Sequence, residues 1–226
     1  MATIGDNLQA VKSRIARAAE GAGRDPAALA LLAVSKGQPA ARIDEARAAG
    51  QAAFGENYVQ EALAKMDLLP RLEWHLIGPL QANKTRVVAE RFDWVQTVAS
   101  EKVARRLSEQ RPAGLTPLNV LIQVNVSGEA TKSGIAPGDV LALCEGVLKL
   151  KNLRLRGLMA IPEPGAPRER FREVRVLYEE LKARCGFDTL SMGMSDDLEL
   201  AIAEGATLVR VGTAIFGSRS PVRSAA

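Results

Sequence analysis

An apolar run from Ala28 to Val34 ends on Ser35 and Lys36, so a single amine stands where a buried strand gives way to loop. Burying an unpaired ammonium is costly, and apolar surroundings draw a lysine pKa down. A neutral amine attacks aldehydes, which makes Lys36 a candidate to hold an aldehyde-bearing ligand as a Schiff base. Taken alone, the position also suits a solvated lysine capping a strand. Two later segments offer the other half of a site. Ser191 and Gly193 lie in S-M-G-M-S, and Gly212 and Thr213 lie where V-R-V passes into a short turn. Hydroxyls and backbone N–H groups there can converge on one anion, as phosphate sites after the last strands of a barrel do. Either loop by itself reads as a tight turn; both together, opposite a strand-end lysine, favour a phosphorylated ligand. Arg210 shares a strand face with Gly212, so the same assignment turns its guanidinium inward. There it needs an acceptor, either a ring nitrogen of the ligand or a carboxylate such as Glu56.

Other residues carry less. G-P-L-Q-A-N-K-T, from Gly78 to Thr85, approaches a nucleotide phosphate loop, but Asn83 replaces its second glycine and the segment reads more plainly as a helix start. His75 alternates with Ile77 on a strand; it could be a general acid, and reads rather as a hydrogen-bonded structural residue. Asp196 and Asp197 follow Ser195, an expected helix cap, and suit the helix dipole. Lys132, in S-G-E-A-T-K-S-G, could fold over a ligand phosphate, with an exposed loop as its default. Cys144 and Cys185 sit in separate helical patterns without metal-ligand spacing, and the sequence has 1 histidine, so no metal centre is expected.

Positioning these groups falls to a regular alternation. Ile4, Leu8, Val11 and Ile15 recur at helical spacing behind a Thr3 cap with Asp6 three residues on, which gives an opening amphipathic helix. Strand patterns follow at about 29–35, 52–54, 74–77, 93–98, 118–126, 153–161, 187–190 and 207–211, each succeeded by a helical one. Pro39 starts the first of these helices and Gly50 ends it. Strands alternating with helices imply βαβ units, and about eight of them imply an α/β fold in which one closed (β/α)8 TIM barrel takes residues 1–226, with the extra N-terminal helix outside it. A doubly wound open sheet is the alternative, and the short second and seventh strands are where the count is weakest.

With 226 residues and 47% hydrophobic composition the chain can bury a large core. Its net charge of +4 is scattered along helices, and only 4% of residues are aromatic, so no nucleic-acid partner is expected. No apolar run approaches the roughly 20 residues that span a bilayer, and no signal-peptide core opens the chain. A cytoplasmic protein without a membrane partner is expected.

Six motifs in order, L-L-A-V-S-K, F-G-E-N-Y-V-Q-E, E-W-H-L-I-G-P-L-Q-x-N-K, L-R-G-L-M-A-I-P, S-M-G-M-S-D-D and V-R-V-G-T-A-I-F-G, resemble the pyridoxal phosphate homeostasis protein family of YggS/PROSC type over nearly the whole chain. The resemblance implies a fold-type III barrel like the N-terminal domain of alanine racemase, binding pyridoxal 5'-phosphate. Carried over, it makes Lys36 the Schiff-base lysine, Ser191, Gly212 and Thr213 phosphate ligands, Arg210 the partner of the pyridine nitrogen, and Asn57 and Met159 residues lining the ring. Met192 fills the second position of the S-x-G-M-S-D-D motif, a change expected to be harmless. The resemblance also implies a regulator or carrier of the cofactor with no established reaction; no catalytic residue is assigned, PLP-dependent apoenzymes are candidate recipients, and a monomer is expected.

A PLP-dependent amino-acid racemase is the alternative. Racemisation needs an acid-base group on each face of the carbanion, and Lys36 could serve one. Of the two tyrosines, only Tyr58, beside the second strand's loop, could supply the other. A third reading is a barrel that binds some other phosphorylated metabolite without an imine.

Overall fold

The Thr3 hydroxyl accepts the Asp6 N–H at 3.1 Å while the Asp6 carboxylate accepts the Thr3 N–H at 2.9 Å, a reciprocal cap that starts helix α1, Ile4–Gly21. The structure is a computed structural model that describes residues 2–128 and 133–217. The buried stripe of α1, Ile4, Leu8, Val11, Ile15 and Ala19, packs on the last two helices among the described residues and lies outside the repeat.

The repeat itself is a closed parallel barrel whose strands neighbour one another in chain order: β1 (Ala30–Val34), β2 (Ala53–Glu56), β3 (Glu73–Leu76), β4 (Trp94–Val98), β5 (Leu118–Val124), β6 (Leu153–Ala160), β7 (Thr189–Ser191) and β8 (Leu208–Val211). β8 pairs with β1, Val211 opposite Ala33, which rules out the open sheet. Between the strands run α2 (Ala40–Ala48), α3 (Val59–Leu68), α4 (Thr85–Arg91), α5 (Glu101–Gln110), α6 (Val140–Leu148), α7 (Arg168–Cys185) and α8 (Leu198–Ala203), and the one-turn helix α9 (Thr213–Phe216) follows β8. Among the described residues no helix is long and apolar enough to cross a membrane.

The core has two zones. Between strands and helices it is apolar, with Phe54, Ile122, Leu158 and Phe171 wholly buried, each side chain contributing roughly 1.5–3 kcal/mol. Inside the barrel, alternation sends every second residue inward. Leu32, Ile77 and Leu208 form one apolar cluster there, and Trp94, Leu121 and Met159 another. His75, Gln96, Ser191 and Arg210 are buried as well, where barrels of this kind carry mostly branched apolar side chains. Buried polar groups must find internal partners.

Three local expectations are corrected. β2 runs on to Glu56, a buried carboxylate whose Oε1 is ion-paired with Lys65. β7 starts and ends later than the apolar pattern suggests, making Ser191 its last residue and not a loop residue. Ser195 does not cap α8: Asp197 occupies that position, and its Oδ1 accepts the Met194 N–H at 2.5 Å, tightening the loop ahead of the helix. The segment before α4 is a 3-10 turn over Ala82–Lys84, in keeping with a helix start.

Candidate functional site

β1 ends on Val34 and hands the chain to a turn, Ser35 to Gln38, that carries Lys36. A buried charge cluster clamps this turn. The Ser35 N–H donates to the Gly55 carbonyl at 3.0 Å and its hydroxyl donates to Glu56 Oε1 at 2.6 Å. Lys65 Nζ, from α3, donates to the Ser35 carbonyl at 2.8 Å and to Glu56 and Glu61 at 2.6 Å each. The Gly37 N–H completes the ring by donating to Glu61 Oε1 at 2.5 Å. Burial pushes the Glu56 carboxyl above the usual glutamate range, with Lys65 pulling against it. Sequence reading missed Lys65 and Glu61 altogether, although their four-residue spacing on one helix face is a readable signal.

Lys36 lines a cavity of about 240 Å³ at the C-terminal mouth of the barrel. Asn57 joins it from the loop after β2, held by Gly78, where an added Cβ would fall 2.1 Å from the Asn57 carbonyl oxygen. Ile77 and Ile161 give apolar walls. Met194, Ser195 and Asp196 come from the loop after β7, and Arg210, Gly212 and Thr213 from β8 and the start of α9. The N–H groups of a helix's first turn lack intrahelical acceptors, so the entry to α9 offers backbone donors beside the Thr213 hydroxyl. The N-terminal helix braces this side: Arg14 Nη1 donates to the Ser195 carbonyl at 2.7 Å and Nη2 to Glu199 at 2.6 Å.

The cavity thus gathers Lys36, Asn57, Arg210, Gly212 and Thr213 of the residues singled out from the sequence, and not Ser191, Gly193 or Met159. Ser191, wholly buried at the end of β7, points into the barrel and spends its hydroxyl on Gln96 and Arg210, so Ser195 is the serine of that segment that meets the cavity. Gly193 has φ +95°, and a Cβ there would lie 2.5 Å from Ala201 Cβ, so its left-handed turn serves packing against α8. Met159 packs with Trp94 and Leu121 inside the barrel. Lys132 lies outside the described residues.

Arg210 does not pair with Glu56, which is taken by Lys65 and Ser35. Its Nη1 donates to Ser191 Oγ at 2.7 Å and its Nη2 to the Ala160 carbonyl at 2.9 Å. Burial pulls this guanidinium down to about 10, and among the described residues no carboxylate lies within ion-pair distance of it. His75 is not at the cavity: it is buried, bonded to Glu73 and Gln96 at 2.7 and 2.9 Å, and burial draws its pKa below the usual histidine value. Tyr58 is 66% exposed and Tyr178 stacks on Phe187 from α7; neither lines the cavity. No cluster of metal-ligating side chains occurs among the described residues.

Residues 7–220 match the family model described as alanine racemase, N-terminal domain. A relative from Pseudomonas aeruginosa, named pyridoxal phosphate homeostasis protein, is 61% identical over 97% of each chain. The chain belongs to the pyridoxal phosphate homeostasis protein family. A relative of the same name from Escherichia coli K12 is 52% identical over 97% of this chain and 98% of its own. Among solved structures, PipY of Synechococcus elongatus without PLP is 40% identical with a TM-score of 0.85, covering 95% of this chain and all of that one, and PipY with PLP bound gives 39% and 0.82. The fold also matches alanine racemase of Clostridium difficile with a TM-score of 0.71 at 13% identity, over 96% of this chain and 58% of that one. The membership expected from the six motifs is borne out, and so is the barrel.

Proposed function

We propose that this chain binds pyridoxal 5'-phosphate in the cavity at the C-terminal mouth of its barrel, and that it keeps and hands on the cofactor in the cytoplasm, as a monomer, instead of catalysing amino-acid chemistry. The observation that carries the reading is the convergence of Lys36, Arg210 and the Ser195, Gly212 and Thr213 donors on one cavity. Each demand of the cofactor meets a suitable group. Lys36 would hold the aldehyde carbon, and the Ser195 and Thr213 hydroxyls with the backbone at Gly212 would hold the phosphate. Arg210 can only donate, which suits a pyridine nitrogen left unprotonated. Asn57 would lie along the ring, with Ile77 and Ile161 excluding water from it. When bound, the cofactor supplies an aldehyde that exchanges reversibly between amines. The PLP-bound PipY structure and the names of the relatives support the assignment.

Two features favour keeping over catalysis. A guanidinium at the ring nitrogen does not give up its proton, which weakens the ring as an electron sink. Racemisation would also need a second acid-base group facing Lys36 across the cavity. Tyr58 is turned to solvent and Asp196 stands exposed at the rim. PLP-dependent apoenzymes are the proposed recipients. Purified holoprotein incubated with single amino acids in deuterated water should show no steady exchange of the α-proton, while an added apoenzyme should take up cofactor stoichiometrically. Sustained exchange with turnover would replace this reading by the racemase.

A further inference from the structure

Four buried side chains from four strands cross the barrel interior in one file of hydrogen bonds. Arg210 Nη1 donates to Ser191 Oγ at 2.7 Å, Ser191 donates to Gln96 Oε1 at 2.7 Å, Gln96 Nε2 meets His75 Nδ1 at 2.9 Å, and His75 Nε2 meets Glu73 Oε1 at 2.7 Å. The two ends together set the direction of the bonds, since arginine can only donate and an ionised carboxylate can only accept. The Ser191 oxygen accepts from Arg210, and its own proton goes to the Gln96 carbonyl oxygen. The Gln96 amide group then presents its NH2 to His75, whose Nδ1 must accept. The imidazole proton is left on Nε2, where the Glu73 carboxylate takes it. His75 is also gripped sideways, stacked on Trp94 with centroids 5.0 Å apart and planes 8° apart. The charged groups around it are Glu73 on its own strand, Asp93 just ahead of β4, and the Arg156–Asp188 pair beyond Trp94.

We propose that Ser191, Gln96 and His75 are positioning residues that hold the Arg210 guanidinium in its donor orientation at the cavity, and that the file transmits a change at the cavity to Glu73 at the opposite mouth of the barrel. The inference rests on the reading that Arg210 faces the ring nitrogen of the bound cofactor. It gives Ser191 a role distinct from phosphate binding and gives the barrel's polar layer a purpose. A file with one consistent direction cannot lose a member without leaving a buried donor or acceptor unmet, which is why the effect should travel.

The sequence contains 1 histidine, so 15N-histidine labelling reports on His75 alone. The apoprotein should show a neutral imidazole protonated on Nε2. Adding pyridoxal 5'-phosphate should move the Nδ1 resonance, and borohydride should then fix the cofactor on Lys36. Gln96→Met should weaken cofactor affinity about tenfold and abolish the Nδ1 response while trapping on Lys36 persists. If that variant does not fold, Ser191→Ala, which opens the file one link nearer the cavity, should do the same. An Nδ1 proton in the apoprotein, an Nδ1 resonance indifferent to a cofactor that is trapped on Lys36, or a variant with unchanged affinity would overturn the proposal. Failure of the wild-type protein to trap cofactor would sink the reading of the cavity. The file is then decided in the apoprotein: Gln96→Glu, with no amide to donate, should bring a proton onto His75 Nδ1, and an unmoved tautomer would refute it.

Discussion

Lys65→Met tests whether the charge cluster under the Lys36 turn holds the site. The Glu56 side chain is 0% exposed and that of Lys65 7%, and the ammonium makes three bonds of 2.6–2.8 Å. Removing it leaves a buried carboxylate with the Ser35 hydroxyl as its remaining donor, and breaking a buried pair in this way costs about 3–5 kcal/mol. For a chain of this size each kcal/mol lowers Tm by roughly 2–4 °C, so a fall of about 6–20 °C is expected near pH 7. The loss should depend on pH. Glu56 is already raised by burial, and without Lys65 the folded chain prefers the protonated acid more strongly. The penalty is therefore smallest below the ordinary glutamate pKa and grows as pH rises through the window up to the raised folded value. Thermal and urea unfolding across pH 4 to 8, roughly the span of such shifts, would read this directly. Glu56→Gln added to Lys65→Met should recover more than half of the lost stability, because the orphaned charge is gone. A pH-independent loss of under about 1 kcal/mol, or a double variant no better than the single, would refute the argument that the cluster is a desolvated ion pair.

Lys36→Ala should abolish the cofactor's absorption change and its fixation by borohydride, with the circular dichroism of the barrel unchanged; a band that survives would remove this lysine from the site. Gly78→Ala forces a Cβ to within 2.1 Å of the Asn57 carbonyl oxygen, so the two loops must separate, at a cost of about 1–3 kcal/mol, and calorimetry should show weaker cofactor binding with it. Arg14→Ala frees the Ser195 carbonyl from α1, and should lower stability by roughly 1 kcal/mol and weaken competition by inorganic phosphate for the cavity. Unchanged phosphate competition in that variant would show that the N-terminal helix does not brace the phosphate end.

Much of this was legible because it depends on short-range pattern. The Thr3–Asp6 cap and the Ile4, Leu8, Val11, Ile15 stripe announce α1 before any tertiary contact exists. The alternation of strand and helix pointed to the barrel, with an open sheet as the alternative, and that Lys36, Arg210, Gly212 and Thr213 would line one cavity followed from which strand ends share a mouth. What escaped notice depends on partners far away in sequence. Glu56 looks like a loop residue until Lys65 and Ser35 neutralise it, so β2 reads too short. Ser191 sits on the boundary of a three-residue strand, and the difference of a single residue decides whether its hydroxyl meets the cavity or the barrel axis. The file through Gln96 could not be foreseen, since a lone glutamine in W-V-Q-T-V carries no local signature of its partners.

The seam where β8 meets β1 has a bearing on biogenesis. Lys36 hangs from the first strand and Arg210, Gly212 and Thr213 from the last, so amine and cradle become neighbours only when the two ends of the ring zip together. On the proposed reading of the cavity, a nascent chain still missing its final strand would hold Lys36 without the groups proposed to retain an aldehyde there. Capture of the cofactor would then certify that synthesis and ring closure are complete, and by mass action it would favour the sealed form over any partly opened one.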